Sequence, residues 1–356
     1  MSAARPTVAV LFGGANSEHE VSCSSARSVE EHLDRGRFDP VFLGADRHGG
    51  WHRVDRVRDL AAVNPVEGRR LPDLAGVDMV LPVLHGRFGE DGTLQGLLEL
   101  SGTPYVGNGV LAGAIAMDKF RCQQVLGGSG IPTVPTVVID RANRAHAQRL
   151  VDRAAVLGYP LFVKPNRSGS SVGATRVEDP ADLSAAVDAA LAHDDAALLQ
   201  PFQAGDEVDV AVLQRPDGSL AVAPPLRVRL STDASYFDYA SKYSPGSVEF
   251  EIPARVPTTV ADRVCALALL AFEALGCEGL ARIDFFVTTD GRVLLNEVNT
   301  MPGLTSRSQF PRMWAAAGMG YPDLLTALLN RAFAARGIAA PVGTAAPDRD
   351  ARVGRG

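Results

Sequence analysis

The segment from Leu280 to Asn299 leaves a folding chain little freedom. Two strand-like runs, LARIDFFV and RVLLNEV, flank Asp290-Gly291, the preferred pair for a two-residue hairpin turn. With the turn centred there, Asp284 faces Glu297 and Arg282 faces Asn299. A period of two puts all four side chains on one face of the sheet. Two carboxylates directly opposite each other repel unless something positive lies between them. An oxygen-rich face of Asp, Glu and Asn suits Mg²⁺, which takes a few protein oxygens and fills its octahedron with phosphate and water. The same face also reads as a solvated polar sheet surface on which Arg282 neutralises a carboxylate. The hairpin alone does not choose between the two.

The rest of the chain reads as α/β, or more fully as an α+β multidomain protein. At 356 residues it exceeds one ordinary core, so two or three domains are expected. In residues 1–107, strand-like runs (Thr7 to Phe12, Val41 to Leu43, Val77 to Leu84) alternate with helical spacing such as Glu20 to Leu33. That alternation predicts a parallel sheet with ligand groups beyond the strand carboxyl ends. A smaller central unit is expected over 108–204, opening with a helix from Val110 to Val125. Its expected strands are Thr133 to Ile139, Pro160 to Lys164, Ala174 to Val177 and Ala197 to Leu199, with a helix at Pro180 to Ala192. A third unit, 205–338, holds the hairpin, strands at Val208 to Gln214 and Leu220 to Val222, and a helix from Thr259 to Leu275 that stops at Gly276. The Ala/Pro/Arg-rich tail, 339–356, is expected to be unstructured.

Composition removes several classes of function. With 46% hydrophobic and 21% charged residues the chain is ordinary globular material. A net charge of -6 offers no basic field for nucleic acid or an anionic membrane. Apolar runs such as Val264 to Phe272 are too short to span a bilayer, and Met1 to Pro6 lacks a signal-peptide core. Four scattered cysteines without a CxxC pair suggest reduced thiols and a cytoplasmic location.

Several loops are candidates for chemistry. In Phe162-Val163-Lys164-Pro165-Asn166-Arg167-Ser168-Gly169-Ser170-Ser171-Val172-Gly173, a lysine at a strand end precedes a Gly/Ser loop. That pattern supplies a cation and backbone N–H groups to phosphate oxygens, and it equally describes a surface loop. No Gly-Lys dipeptide occurs, so this is not a Walker A loop, and the strand that follows makes it a hairpin lid. In Gly13-Gly14-Ala15-Asn16-Ser17-Glu18-His19-Glu20, a carboxylate beside a helix start grips an ammonium or stabilises the helix N-terminus. His48 and His52 have ligand spacing, but Gly49-Gly50 makes a turn, and both are expected to face solvent. His85 lies in the loop after a strand. The tyrosine-rich stretch Ser231 to Ser247 has the length and polarity of a lid.

In combination these pieces resemble the D-alanine-D-alanine ligase family of ATP-grasp enzymes, which includes the vancomycin-resistance ligases. The resemblance runs from about Thr7 to Leu329. It rests on GGANSEHEVS, LHGRFGEDGTLQG, AMDK, FVKPNRSGSSVG, YFDYASKY, and GLARIDFF followed by NEVNTMPGLTSRS. It implies an ATP-grasp fold with an N-terminal parallel α/β domain, ATP lying between the central and C-terminal domains. It also implies a two-step reaction. The carboxylate of one D-alanine attacks the γ-phosphate, and the amine of a second displaces phosphate from the acyl phosphate.

Carried over by position, the resemblance implies that Lys119, Lys164 and Lys242 meet the phosphates and Glu207 the ribose, while Gln200 stands where a glutamate often faces adenine. Asp284, Glu297 and Asn299 would hold two Mg²⁺, for which Mn²⁺ substitutes. Glu18 would hold the first ammonium in a network with Ser170 and Tyr243, with His85 nearby. Arg282 and the Gly303 N–H would stabilise the oxyanion, and Ser308 would take the second carboxylate. Phe237 replaces a common lid tyrosine, as in some D-serine-adding relatives, and Asn16 replaces a frequent serine. Tyr243 favours an amine nucleophile over a hydroxy acid. A homodimer through the N-terminal domain is expected from the same resemblance, and peptidoglycan precursor synthesis is the implied role. A D-alanine–D-serine ligase and a catalytically silent ATP-grasp binder are the competing readings. The intact charge cluster argues against the silent binder.

Overall fold

The structure, a computed structural model, describes residues 5–65, 71–141, 154–169, 172–230 and 248–338. Ser170, Phe237, Lys242 and Tyr243, the lid stretch and the tail 339–356 lie outside them.

The N-terminal alternation folds as expected. β1 (Thr7–Gly13) runs parallel to β2 (Asp39–Ala45) and to β4 (Met79–Pro82), and β3 (Trp51–Val54) adds antiparallel to the edge of β2. β1 is apolar on both faces because both are covered, the usual state of a central parallel strand. It ends at Gly13, whose φ of +87° and whose missing Cβ, which would stand 2.1 Å from the Ala45 carbonyl oxygen, admit only glycine. The chain then enters α1 (His19–His32). α2 (Thr93–Ser101) follows the loop after β4. The edge strand β3 overturns one expectation. His48 is exposed, but His52 is half-buried, with its Nε2 2.8 Å from Asp46 Oδ2.

The helix expected from Val110 to Val125 is two helices, α3 (Val110–Met117) and α4 (Lys119–Gly128). Asp118 breaks the run. It adopts extended backbone (φ −84°, ψ 93°), and its side chain accepts the Arg121 N–H as an N-cap. The break puts Lys119 at the first position of α4. The central sheet has the order β5 (Val137–Asp140), β8 (Ala196–Pro201), β6 (Leu161–Pro165), β7 (Thr175–Val177), all antiparallel, backed by α5 (Leu183–Leu191). β5 starts later than expected because Thr133 instead bridges to Leu295 in the third sheet.

That sheet has the order β12 (Val248–Glu251), β11 (Leu226–Leu230), β9 (Gly205–Gln214), β13 (Leu280–Thr288), β14 (Val293–Asn299), with β10 (Leu220–Val222) also on β9. α6 (Thr258–Ala274) buries Val264, Leu267, Ala268, Ala271 and Phe272 against it. The turn of the hairpin differs from expectation, yet the pairing near the site does not. Val287 pairs with Val293, and the Thr288 N–H donates to Arg292 O at 2.9 Å. The loop is therefore three residues, Thr289 to Gly291, with Gly291 at φ +81°. Asn296 is then an extra residue in β14, a bulge that shifts the register back. The two departures cancel, and Asp284 faces Glu297 and Arg282 faces Asn299 as the pairing predicted.

The last two helices, α7 (Gln309–Ala316) and α8 (Tyr321–Ala335), return to the N-terminal sheet. Phe310, Trp314, Leu324 and Leu328 share one apolar core with Val8, Phe12 and Val29. The N-terminal sheet and the last two described helices are thus packed as a unit, and α1 lies between β1 and the loop that precedes α7. The four cysteines are free thiols, and Cys23, Cys122 and Cys277 are buried. No helix among the described residues is long and apolar enough to cross a membrane.

Candidate active site

The site begins at the row Asp209, Asp284, Glu297, one residue from each of three adjacent strands. Asp284 is only 1% exposed, and its charge is met within the sheet. Arg282 Nε and Nη2 donate to its two oxygens at 2.8 Å each, and Asn299 Nδ2 donates to Oδ2 at 3.0 Å. This fork is the strong form of a carboxylate hydrogen bond. Burial by itself would lower the Arg282 pKa, but Asp284, Asp209 and Glu297 together hold the guanidinium well above its ordinary value. Asp209, missed in the sequence, accepts from Gln309 Nε2 at 2.7 Å. Glu207, Asp209 and Asp284 also each offer an oxygen within 4.8 Å of the others. Asp284 therefore shares a carboxylate cluster across β9 and also faces Glu297 across the hairpin, where Asn299 reaches it through its amide nitrogen.

Lys119 joins this row to the glycine-rich loop. Its Nζ lies 3.3 Å from Glu297 Oε2 and donates to Ser168 O at 2.8 Å. The loop is fixed to α4 by Asn166, whose Oδ1 accepts the Phe120 N–H at 3.0 Å. Lys164, on β6, donates to Asn296 Oδ1 at 3.1 Å, so the bulge that restores the register also presents Asn296 beside Glu297. Lys119, Lys164, Gln200, Glu207, Asn296 and Glu297 line one cleft between the central and third sheets, with Phe162 and Phe286 as its apolar walls. Gln200 is buried, and its Nε2 donates to Thr136 Oγ1 at 2.8 Å. A signal for these cations was present in the sequence. The chain has only three lysines, Lys119, Lys164 and Lys242, among its 35 Lys plus Arg. A compact ammonium rather than a planar guanidinium at all three is a chemical choice.

A second, smaller pocket shares Lys119 and Glu297 with the cleft and is also lined by Glu18, Gly86, Glu90, Gly169 and Asn299. Glu18 fills the space that a side chain on either of two flanking glycines would need. A Cβ on Gly86 would stand 2.2 Å from its Oε2, and one on Gly169 2.8 Å from its Oε1. Glu90 lies within LHGRFGEDGTLQG. Its Oε2 accepts the Gly86 N–H at 2.9 Å, and burial, then the Glu18 charge, push its carboxyl up to about 8. His85 is 3% exposed with both ring nitrogens engaged, Nδ1 3.0 Å from Met301 O and Nε2 2.9 Å from Ser25 Oγ. Burial lowers its pKa, against the opposing influence of Glu18. Gly303 and Ser308 meet in the loop before α7, where a Gly303 Cβ would lie 3.1 Å from Ser308 Oγ. That hydroxyl accepts the Thr305 N–H at 3.2 Å.

Two family models match the chain. The family model described as D-ala D-ala ligase N-terminus matches residues 7–108, and the one described as D-ala D-ala ligase C-terminus matches residues 125–330. The chain belongs to the D-alanine–D-alanine ligase family. A D-alanine–D-alanine ligase from Mycobacterium sp. (strain KMS) is 42% identical over 93% of this chain and 97% of its own length. Among solved structures, VanG D-Ala:D-Ser ligase from Enterococcus faecalis superposes with a TM-score of 0.80 at 35% identity, covering 92% of this chain and 100% of that one. The D-alanine-D-alanine ligase from Coxiella burnetii superposes with a TM-score of 0.78 at 31% identity, covering 93% and 94%. The fold is therefore that of the ATP-grasp ligases, an α/β multidomain fold.

Proposed function

We propose that this chain is an ATP-dependent D-alanine–D-alanine ligase that forms D-alanyl-D-alanine and ADP through an acyl phosphate, for peptidoglycan precursor synthesis. The observation that carries the reading is Lys119, which contacts Glu297 and the Ser168 carbonyl where the cleft and the Glu18 pocket meet. A γ-phosphate at that junction faces a carboxylate nucleophile in the smaller pocket. Phosphoryl transfer depends mainly on such positioning and on neutralising oxygen charge.

In this reading Lys119, Lys164 and Lys242 neutralise the phosphates, Glu207 holds the ribose and Gln200 faces the base. Glu18, with Ser170 and Tyr243, holds the first ammonium, and His85 stands close by. Arg282 and the Gly303 N–H receive the developing oxyanion, and Ser308 the second carboxylate. Asp284 and Glu297 face each other and Asn299 follows two residues on, oxygen-bearing side chains of the kind Mg²⁺ takes, with two ions expected and Mn²⁺ as a substitute. Arg282 and the Asn299 amide, which donate to Asp284, would yield its oxygens to the ion. The ion would supply further charge neutralisation at the phosphates. The same reading divides the chain at 107 and 204 into substrate, central and catalytic domains, and puts it in the cytoplasm as a homodimer.

The deciding experiment measures phosphate release from ATP and Mg²⁺ with D-alanine alone, then with D-serine or D-lactate added, and identifies products by mass. D-Alanyl-D-alanine as the main product is the expected result. A dominant mixed product with D-serine would favour the second reading, for which the likeness to VanG is the specific support. No D-alanine-dependent release from folded protein would overturn the substrate assignment.

A further inference from the structure

The buried face of α1 carries Ser22, Ser25 and Ser28 at helical spacing, 0%, 0% and 7% exposed. Serine inside a helix commonly bonds its own preceding turn. These hydroxyls reach outward instead. Ser22 Oγ accepts the Gly13 N–H at 2.8 Å and donates to Val83 O at 2.6 Å, tying α1 to the ends of β1 and β4. Ser25 Oγ accepts the Leu304 N–H at 3.3 Å, and Ser28 Oγ accepts the Ser306 N–H at 3.0 Å. The Leu304 and Ser306 N–H groups thus both reach α1, while the Thr305 N–H between them turns to Ser308 Oγ at 3.2 Å.

The remaining contacts fix the direction of each bond. A carbonyl only accepts, so the 3.0 Å contact to Met301 O puts the His85 proton on Nδ1. Nε2 then accepts from the Ser25 hydroxyl, leaving the Ser25 lone pairs to the Leu304 N–H. Tyr321, on α8, donates to the Leu304 carbonyl. Loop 301–308 is thus held by α1 and α8 at both backbone groups of Leu304.

We propose that Ser25 and Ser28 are positioning residues for the second amino acid: α1 holds loop 301–308 in the register that presents the Ser308 hydroxyl to its carboxylate and the Gly303 N–H to the oxyanion its attack creates. The identity of that substrate rests on the ligase reading. The test uses the full chain and the variants Ser25→Ala and Ser28→Ala, the latter keeping the measurement available if the fully buried Ser25 site does not tolerate alanine. Rate against D-alanine concentration resolves first- and second-site KM, with the ATP KM measured in parallel. Each variant is expected to raise the second-site KM by about 5–10-fold, the scale of one lost hydrogen bond, and to leave the other two constants within about 2-fold. Hydrogen exchange without substrate is expected to quicken by at least about 5-fold at the amide each variant releases, Leu304 or Ser306. Unchanged exchange at both amides overturns the anchoring. Faster exchange with an unchanged second-site KM, or with an equal rise in all three constants, overturns the positioning role. Wild-type protein that releases no phosphate with D-alanine overturns the ligase reading alone, and the exchange measurement still decides the anchoring.

Discussion

The two ends of the site handle charge in opposite ways. At the nucleotide end charges already have partners: Lys119 contacts Glu297, Arg282 grips Asp284 with both arms, and Lys164 donates to the Asn296 amide oxygen. At the amino-acid end acids crowd together, and Glu18 helps to raise the Glu90 carboxyl. A ligand arriving at the first end must exchange partners with groups that are already compensated, so its charge pattern is read by substitution. At the second end two carboxylates act on each other, and an ammonium arriving there eases that repulsion, whatever else each contacts. The difference matches the chemistry proposed for each end, polyanion plus cation at one and a primary amine at the other.

The largest effects are expected where compensation is broken. Glu297→Ala removes a proposed metal ligand and leaves Lys119 without its carboxylate partner, and turnover should fall by about 1000-fold or more. Glu297 is partly exposed, so circular dichroism and the melting temperature should show an intact fold. Full turnover by folded Glu297→Ala would sink the metal assignment. Lys119→Arg keeps the charge but replaces a compact ammonium with a wider planar fork. We expect a fall of about 10–100-fold in kcat/KM for ATP, and an unchanged value would remove the significance of the chain's three lysines.

How far the sequence anticipated this site depended on the range of the signal. The facing of Asp284 and Glu297 was legible because both lie in one hairpin, although two local errors cancelled to give it. A three-residue turn was read as two, and the Asn296 bulge was not seen. Turn length and bulges are set by packing against β9 and the cleft, information absent from the hairpin's own residues. Asp118 shows the reverse case. Its capping role was local and visible in principle, but the apolar run around it suggested a continuous helix. Glu90, Asp209, Ser25 and Ser28 were invisible for a different reason. Each acts on residues far along the chain, and a serine on a helix carries no mark of the loop it will hold. The shared core of the last helices and the N-terminal sheet was likewise beyond reach, since it joins residues about three hundred positions apart.

A change confined to the amino-acid end should separate the two ends. Gly86 has a φ of +71°, and an alanine Cβ there would overlap Glu18 Oε2. Gly86→Ala is expected to cost about 1–3 kcal/mol in stability and to raise the first-site D-alanine KM by about 10-fold, with the ATP KM within about 2-fold. Equal shifts in both constants would mean that the ends are not independent in the way the charge pattern suggests.

The smallest expected effect is a drift with pH, and it tests the crowding of acids most directly. The fold raises the Glu90 carboxyl from the usual 4.5 to about 8, by burial first and the Glu18 charge second. A raised carboxylate pKa means that the folded state keeps a proton which the unfolded chain has given up. Stability from this group is therefore highest below pH 4.5, declines as pH rises toward 8, and is level beyond it. Glu90→Gln accepts the same Gly86 N–H through its amide oxygen and has no proton to lose. The variant should gain on the wild type as pH rises, by about 2–4 °C in melting temperature between pH 5 and pH 8. A difference that stays constant with pH would mean that Glu90 is ionised throughout, and the nearest source of compensation would then be the Arg282 guanidinium, the positive charge that already acts on it.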